Sequence, residues 1–253
     1  MSRGNSLLRV AGMATMPSRA TTAPRAIESI LRQVSRLWLF LDRFDTVPDY
    51  AKHEGIEVLR SQDLGDLRAN GKFLGLALDS RPCTFFGVDD DVLYPADYCR
   101  TLESHLGRWS GATAVGVHGG LLPAPVNSYA RDLKVLHRRA PRQHPTEVDL
   151  LGSDSVAFRT STLRFDVRDW PDVNMVDLSL ALGARRRSVP LVTVPRKAYW
   201  LSALDENQSD SIWAGVLRDD SRQTALAQEL LSLPRPPLPR RRSRWPRLFV
   251  RAP

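Results

Sequence analysis

The sequence predicts an α/β fold, with a mainly parallel central sheet flanked by helices. Two observations carry that expectation. From Leu7 to Val117, short apolar runs of strand length alternate with stretches of helical periodicity. Such alternation makes βαβ units, whose strands lie parallel. In addition, the run Cys83-Thr84-Phe85-Phe86-Gly87-Val88 passes straight into Asp89-Asp90-Asp91, and Tyr94-Pro95 closes it. That pattern reads as a buried strand with carboxylates at its carboxyl end. Open α/β sheets bind their ligands along that edge.

Taken in order, Leu7 to Thr15 reads as the first strand and Met16-Pro17-Ser18-Arg19 as a loop. Thr22 suits a helix cap and Pro24 its first turn. Ala26, Ile27, Ile30, Leu31 and Val34 mark that helix's buried face. Leu37 to Leu41 is a second strand ending at Asp42, and Gly55 to Leu59 a short third one. Gly65 to Phe73 leads into a helical stretch that runs to Leu78. After the acidic strand, residues 96–107 read as helix and Ala112 to Val117 as strand. From His118 the pattern changes. Gly119-Gly120, Pro123, Pro125 and the basic region 131–145 read as a long irregular connection, and loops of that length are usually functional or mobile. Val148 to Phe158 returns to strand character, broken by Gly152-Ser153-Asp154-Ser155. Asp172 to Leu182 reads as a short helix, Leu191 to Val194 as a strand, and residues 210–232 contain a further helix. Leu233 to Pro239 is a proline-rich linker. Residues 1–232 therefore form one domain and 233–253 a Pro/Arg-rich tail.

The net charge is +8, but seven of the 36 basic residues fall in 235–253, leaving 29 against 28 acidic ones. A nearly neutral body argues against nucleic acid as a partner. The arginine-rich tail, with Trp245 and Phe249, suits peripheral contact with an anionic membrane. The alternative is a solubilising tail. No apolar run is long enough to span a bilayer, and the amino-terminal residues lack the apolar core of a signal peptide. The expected location is cytoplasmic, at most peripheral at the inner face of a membrane. Two cysteines, Cys83 and Cys99, fit a reducing compartment.

Three adjacent carboxylates repel one another, and a hard cation such as Mg²⁺ or Mn²⁺ would relieve that. Strand alternation would place Asp89 and Asp91 on one face and Asp90 on the other. The alternative is a solvated acidic turn. Asp42, at a strand end, suits a ribose hydroxyl or a base edge, or is an ordinary turn aspartate. Lys72 suits a phosphate, or is a surface lysine. His118, before two glycines, could meet a sugar, a phosphate or a metal, or be structural. Asp177 could favour a helix start or act as a general base. GxGxxG, P-loop, GxSxG, HExxH and CxxC signatures are all absent.

Taken together, the pieces between residues 7 and 205 resemble bacterial glycosyltransferases of the GT-A fold, similar to family 2. Ala14-Thr15-Met16-Pro17-Ser18-Arg19 looks like the nucleotide-contacting loop, and Gly65-Asp66 with Gly71-Lys72-Phe73 like the donor-binding segment. Asp89-Asp90-Asp91 looks like the DxD motif. Val117-His118-Gly119 and Gly152-Ser153-Asp154-Ser155 look like acceptor-side loops, and Asn174 to Asp177 falls where the family places its catalytic acid. The adjacent acidic pair of many family-2 enzymes is missing there.

The resemblance implies a nucleotide-binding half, about 1–117, and an acceptor-binding half, about 118–232. Thr15, Pro17, Arg19, Asp42, Asp66, Lys72, Asp89 and Asp90 would contact the donor, a nucleotide-diphosphate sugar with UDP-sugars favoured. Asp91 with Asp89 would hold Mn²⁺ or Mg²⁺. His118, Gly119, Ser153, Asp154 and Asn174 would face a glycan, lipid-linked or protein acceptor. Asp177 would be the base of an inverting transfer. A nucleotidyltransferase, an inactive sugar-nucleotide or glycan-binding protein and a glycoside hydrolase are the competing classes.

Overall fold

Period-two burial assembles the sheet. In the computed structural model, which describes residues 7–204 and 212–242, strand β1 (Leu8–Thr15) turns Val10 to one apolar core and Ala11 and Met13 to a second. Strand β2 (Arg36–Leu41) sends Trp38 and Phe40 to the first core and Leu37, Leu39 and Leu41 to the other. Strands buried on both faces read as continuous apolar runs, and this is why the first strands are legible in the sequence.

The remaining strands are β3 (Ile56–Arg60), β4 (Cys83–Val88), β5 (Val92–Leu93), β6 (Ala114–Gly116), β7 (Gly119–Leu121), β8 (Lys134–Leu136) and β9 (Thr146–Val148). After them come β10 (Leu150–Leu151), β11 (Ser155–Arg159), β12 (Leu191–Thr193) and β13 (Ser202–Ala203). Eight of these form one sheet in the order β3-β2-β1-β4-β11-β6-β12-β9. The β3/β2, β2/β1, β1/β4 and β6/β12 pairings are parallel. β11 enters antiparallel between β4 and β6, and β9 closes the far edge antiparallel to β12. The expected mainly parallel α/β sheet, flanked by helices such as Ala23–Leu31, Tyr98–Leu106 and Val176–Arg186, is present.

Three stretches differ from expectation. The connection after His118 is partly regular, because β10, β7 and β8 make a small antiparallel sheet. Its strands have three residues or fewer, too short to show alternation, and Gly119-Gly120 leaves part of β7 without side chains. The apolar stretch 148–158 divides among three strands in two sheets. The helix expected from Asp172 begins only at Val176. The Asp172 carbonyl accepts Asn70 Nδ2 at 2.8 Å, and Asn174 Oδ1 accepts the Ala69 amide at 3.3 Å. With Asn174 at φ 61°, these residues are tied to segment 68–70 rather than free to extend the helix.

That segment, the 3₁₀ turn Arg68–Phe73, lies flat on β1 and β2. Gly12 has no side chain where a Cβ would sit 1.9 Å from the Lys72 carbonyl oxygen, and Gly71 packs directly on the Phe40 ring. Close backbone approach is the service glycine provides here. It brings Lys72, 4 % exposed, in under the end of β4.

Residues 233–242 run along the domain. Arg235 pairs with the buried Asp149 carboxylate, which also accepts Arg185 Nη2 at 3.1 Å. Ser110 N donates to the Arg240 carbonyl at 3.0 Å, and Arg242 N to that of Arg108 at 2.7 Å. Arg241 lies over the Trp109 ring, 5.9 Å from its centroid. Ser243 to Pro253, which hold the rest of the expected membrane-binding stretch, lie outside the described residues. Among the described residues no helix is long and apolar enough to cross a membrane.

Candidate active site

The carboxyl ends of β1, β2 and β4 carry the site. β4 stops at Val88, so Asp89-Asp90-Asp91 forms the turn into β5 rather than a strand end. The expected strand alternation therefore does not govern it. Asp90 is buried, whereas Asp89 and Asp91 are partly exposed. Burial pushes the Asp90 carboxyl up to about 7, and the like charges of Asp89 and Asp91 add to the rise.

A buried tyrosine fixes this turn. The Asp89 amide donates to the Tyr94 hydroxyl at 2.8 Å, and that hydroxyl donates to the Asp154 carbonyl at 2.7 Å. Tyr94 thus joins the acidic turn to the turn 152–155 leading into β11. From the other side, Lys72 Nζ pairs with Asp89 Oδ1 and lies 3.4 Å from Ser153 Oγ. Burial alone would lower the Lys72 pKa. The Asp89 carboxylate more than offsets that, with help from Asp177 and Asp154, and the ammonium stays charged.

Two further aspartates meet the turn 152–155. The Ser153 amide donates to Asp177 Oδ1 at 2.8 Å. Burial, with the Asp154 charge adding, nevertheless leaves the Asp177 carboxyl above the usual range. Asp154, 5 % exposed, accepts Arg138 Nη1 at 2.8 Å and Ser155 Oγ at 2.8 Å, with His118 Nδ1 3.6 Å away. Burial would raise it, but His118, Arg138 and Ser155 prevail and hold Asp154 well below the usual carboxylate range. His118 in turn is held above its ordinary value, because the Asp154 carboxylate outweighs the cost of burying the ring.

On the β1 and β2 side the structure leaves polar atoms waiting. Asp42 Oδ1 and Asn70 Oδ1 are buried and have no hydrogen-bond partner among the described residues, while the Thr15 hydroxyl lies between the Asp90 carboxyl and the Tyr50 hydroxyl and interacts with both. Thr15 and Asp42 are neighbours, since the Asp42 amide donates to the Thr15 carbonyl at 2.8 Å. Buried polar groups are normally satisfied, so such orphans at a strand edge suit a polar ligand.

Of the residues expected from the sequence, Lys72, Asp89, His118, Ser153, Asp154 and Asp177 form one linked cluster, with Asp90 and Asp91 on its turn and Thr15 and Asp42 on its β1/β2 flank. Pro17 is exposed in a 3₁₀ turn, and Arg19, in the same turn, acts electrostatically on Asp90. Asp66 is exposed and pairs with Arg68 at 3.5 Å. Gly119 packs inside β7, where a Cβ would meet Thr193 at 2.7 Å. Asn174 spends its side-chain oxygen on Ala69. Sequence reasoning missed Arg138, Tyr50 and the bridging role of Tyr94. Arg138 sat in a basic region with nothing to single it out, and Tyr94 was read only as the close of the acidic run.

The donor set suits a hard cation. Asp91, and the Asp89 oxygen that Lys72 does not take, would offer carboxylate oxygens from one partly exposed turn, and Mg²⁺ commonly takes one or two carboxylates plus substrate phosphates. Among the described residues no group of three His, Cys, Asp or Glu side chains is arranged to hold a metal, so the other ligands would come from substrate and water. No family model matches the chain, and no curated protein matches its sequence.

Proposed function

We propose that the protein is a glycosyltransferase of the GT-A fold, moving a sugar from a nucleotide-diphosphate donor to an acceptor hydroxyl with inversion. The observation that carries this reading is the pairing of two unlike carboxyl environments across one turn: Asp89 beside a buried ammonium, and Asp177 held by the Ser153 amide with its proton affinity raised. The first environment suits an anionic leaving group and the second suits proton removal. The mainly parallel sheet and the unpartnered Asp42 oxygen at its carboxyl edge agree with a nucleotide there.

In this reading the nucleoside sits against Thr15, Asp42 and Tyr50, and a UDP-sugar is the favoured donor. Asp177 takes the acceptor proton as the oxygen attacks the anomeric carbon. The bond from that carbon to the diphosphate oxygen breaks in line, and the electron pair leaves with the diphosphate. Lys72 offsets part of the developing charge. A Mn²⁺ or Mg²⁺ ion held by Asp91 and Asp89 would supply further Lewis-acid stabilisation of the leaving group. Asp154 is a poor base because two cations already hold it, and Asp172 is occupied by a bidentate pair with Arg222 at 2.9 and 2.7 Å.

Thermal shift with UDP, GDP and their sugars, each with Mn²⁺ and with EDTA, tests the reading, because a ligand of the native state raises the melting point by mass action. A specific, metal-enhanced rise and metal-dependent donor hydrolysis are expected. If no nucleoside diphosphate stabilises the fold with or without Mn²⁺, the reading fails.

A further inference from the structure

The edge of the sheet opposite the acidic turn is built from unlike material. β1 begins there at Leu8, β2 at Arg36 and β4 at Cys83, with Leu8 paired to Cys83 and Val10 to Arg36. β11, running antiparallel, ends there at Arg159, opposite Thr84. β6 and β12 begin there at Ala114 and Leu191, just after Arg108 and Arg187. Arg9, Arg36 and Arg81 on this edge pair with Glu103, Glu57 and Asp79. Arg108, Arg159, Arg240 and Arg242 form no ion pair among the described residues, whereas Arg187 lies over the Phe165 ring and donates to the Gly183 carbonyl.

Apolar residues share this edge. Leu7, Leu8 and Leu78 are 38, 45 and 46 % exposed. A cavity of about 210 Å³ opens beside them, lined by Leu8, Val10 and Cys83 together with Arg36, Asp79 and Arg81. The last described residues of the chain arrive at the same place. Arg240 and Arg242 bond the backbone at Ser110 and Arg108, with Arg241 over Trp109. The sequence then continues as Ser243-Arg244-Trp245-Pro246-Arg247-Leu248-Phe249-Val250-Arg251. Exposed leucines and guanidinium groups without an ion pair lie along one edge, the described chain ends at that edge, and the sequence that follows is rich in arginine with Trp and Phe. That chemistry matches an anionic surface with an apolar layer beneath.

We propose that this edge docks on an anionic lipid bilayer, so that the acidic turn and Asp177, at the opposite edge, face away from the membrane. The orientation follows from the strand directions alone and does not rest on the glycosyltransferase reading. It does constrain the acceptor class if that reading holds. A hydroxyl close to the bilayer surface is then the wrong acceptor, and one extended from the membrane or soluble is the right one.

The test uses the full chain and vesicles of phosphatidylcholine with or without an equal part of phosphatidylglycerol. Cys83 and Cys99 are buried, so a polarity-sensitive thiol probe can be placed selectively at Leu78→Cys on the basic edge or at Tyr199→Cys, which is 70 % exposed and hydrogen-bonded to the Arg139 carbonyl beyond β12. Binding is expected only with phosphatidylglycerol, with a blue shift at position 78 and none at 199. Ending the chain after Arg242 removes three arginines, and at roughly fivefold per basic residue should weaken vesicle binding about a hundredfold. Leu78→Glu should weaken it further in the full chain without changing the melting point. Equal binding to neutral vesicles, or a shift at 199 in place of 78, would overturn the proposal. Unchanged binding by both the shortened chain and Leu78→Glu would do the same.

Discussion

Asp154 and Asp177 meet the same turn of backbone and end with opposite proton affinities. The difference lies in what faces them. Asp154 accepts a guanidinium and lies beside an imidazole, whereas Asp177 is met by the uncharged Ser153, through its amide and its side chain. Replacing Asp177 by Asn keeps the size and the Ser153 contact but removes the base, and turnover should fall about 10²–10⁴-fold with donor affinity nearly unchanged. Normal turnover with a lowered melting point would leave Asp177 a structural residue. A raised pKa also places the acidic limb of the rate profile above the ordinary aspartate range, with activity lost as pH falls through it. Asp90 gives a stability test. Its folded pKa of about 7 exceeds the unfolded value, so the folded state holds its proton longer. This group's contribution is therefore most favourable below about pH 4 and is lost as pH rises toward 7, by an amount on the order of 4 kcal/mol, opposite in sign to that of Asp154. Asp90→Asn should remove that loss from a melting-point profile of the ligand-free protein. An unaltered slope would show that Asp90 ionises normally.

Elements were legible where burial was two-sided. β1, β2 and β4 carry unbroken apolar runs, and the helix Ala23–Leu31 shows its buried stripe of Ala26, Ile27 and Ile30. Short elements were not, because two or three residues carry no period, as in β7, β8 and β10. The late start of the helix at Val176 was also hidden, since the bonds that hold Asp172 and Asn174 come from Asn70 and Ala69, about a hundred residues away. The same holds for Gly12, which in sequence is only a glycine inside a strand. The turn Arg68–Phe73 needs its backbone to touch β1 there. Gly12→Ala forces a Cβ against a carbonyl that packing holds in place, and should cost about 1–3 kcal/mol. It should also weaken donor binding, because Lys72 moves with its backbone. A variant of native stability and affinity would mean that the turn shifts freely.

At the scale of the molecule, part of the acidic cluster was readable because Asp89 to Asp91 directly follow β4, on the sheet edge where topology gathers functional groups. Arg138 was not, because only the folded loop brings it to Asp154. The path of the chain after Leu233 was equally hidden. Proline and arginine suggested a detached tail, yet Arg235 reaches the buried Asp149, and Arg240 to Arg242 lie along Arg108 to Ser110. This makes two truncations informative. Ending the chain after Leu233 removes the Arg235 pair, leaves Asp149 with Arg185, and uncovers Trp109, which is 5 % exposed in the intact fold. The Arg235 side chain is half-open to solvent, so its pair is worth about 1 kcal/mol or less. Exposing part of an indole adds a comparable amount at about 25 cal/mol per Å². For a domain of this size each kcal/mol lowers the melting point by about 2–4 °C. Truncation after Leu233 should therefore lower it by a few degrees, whereas truncation after Arg242, which keeps every one of these contacts, should leave it unchanged. Calorimetry of the two shortened proteins beside the full chain measures the difference directly. Equal melting points for all three would mean that residues 233–242 do not hold to the domain in solution.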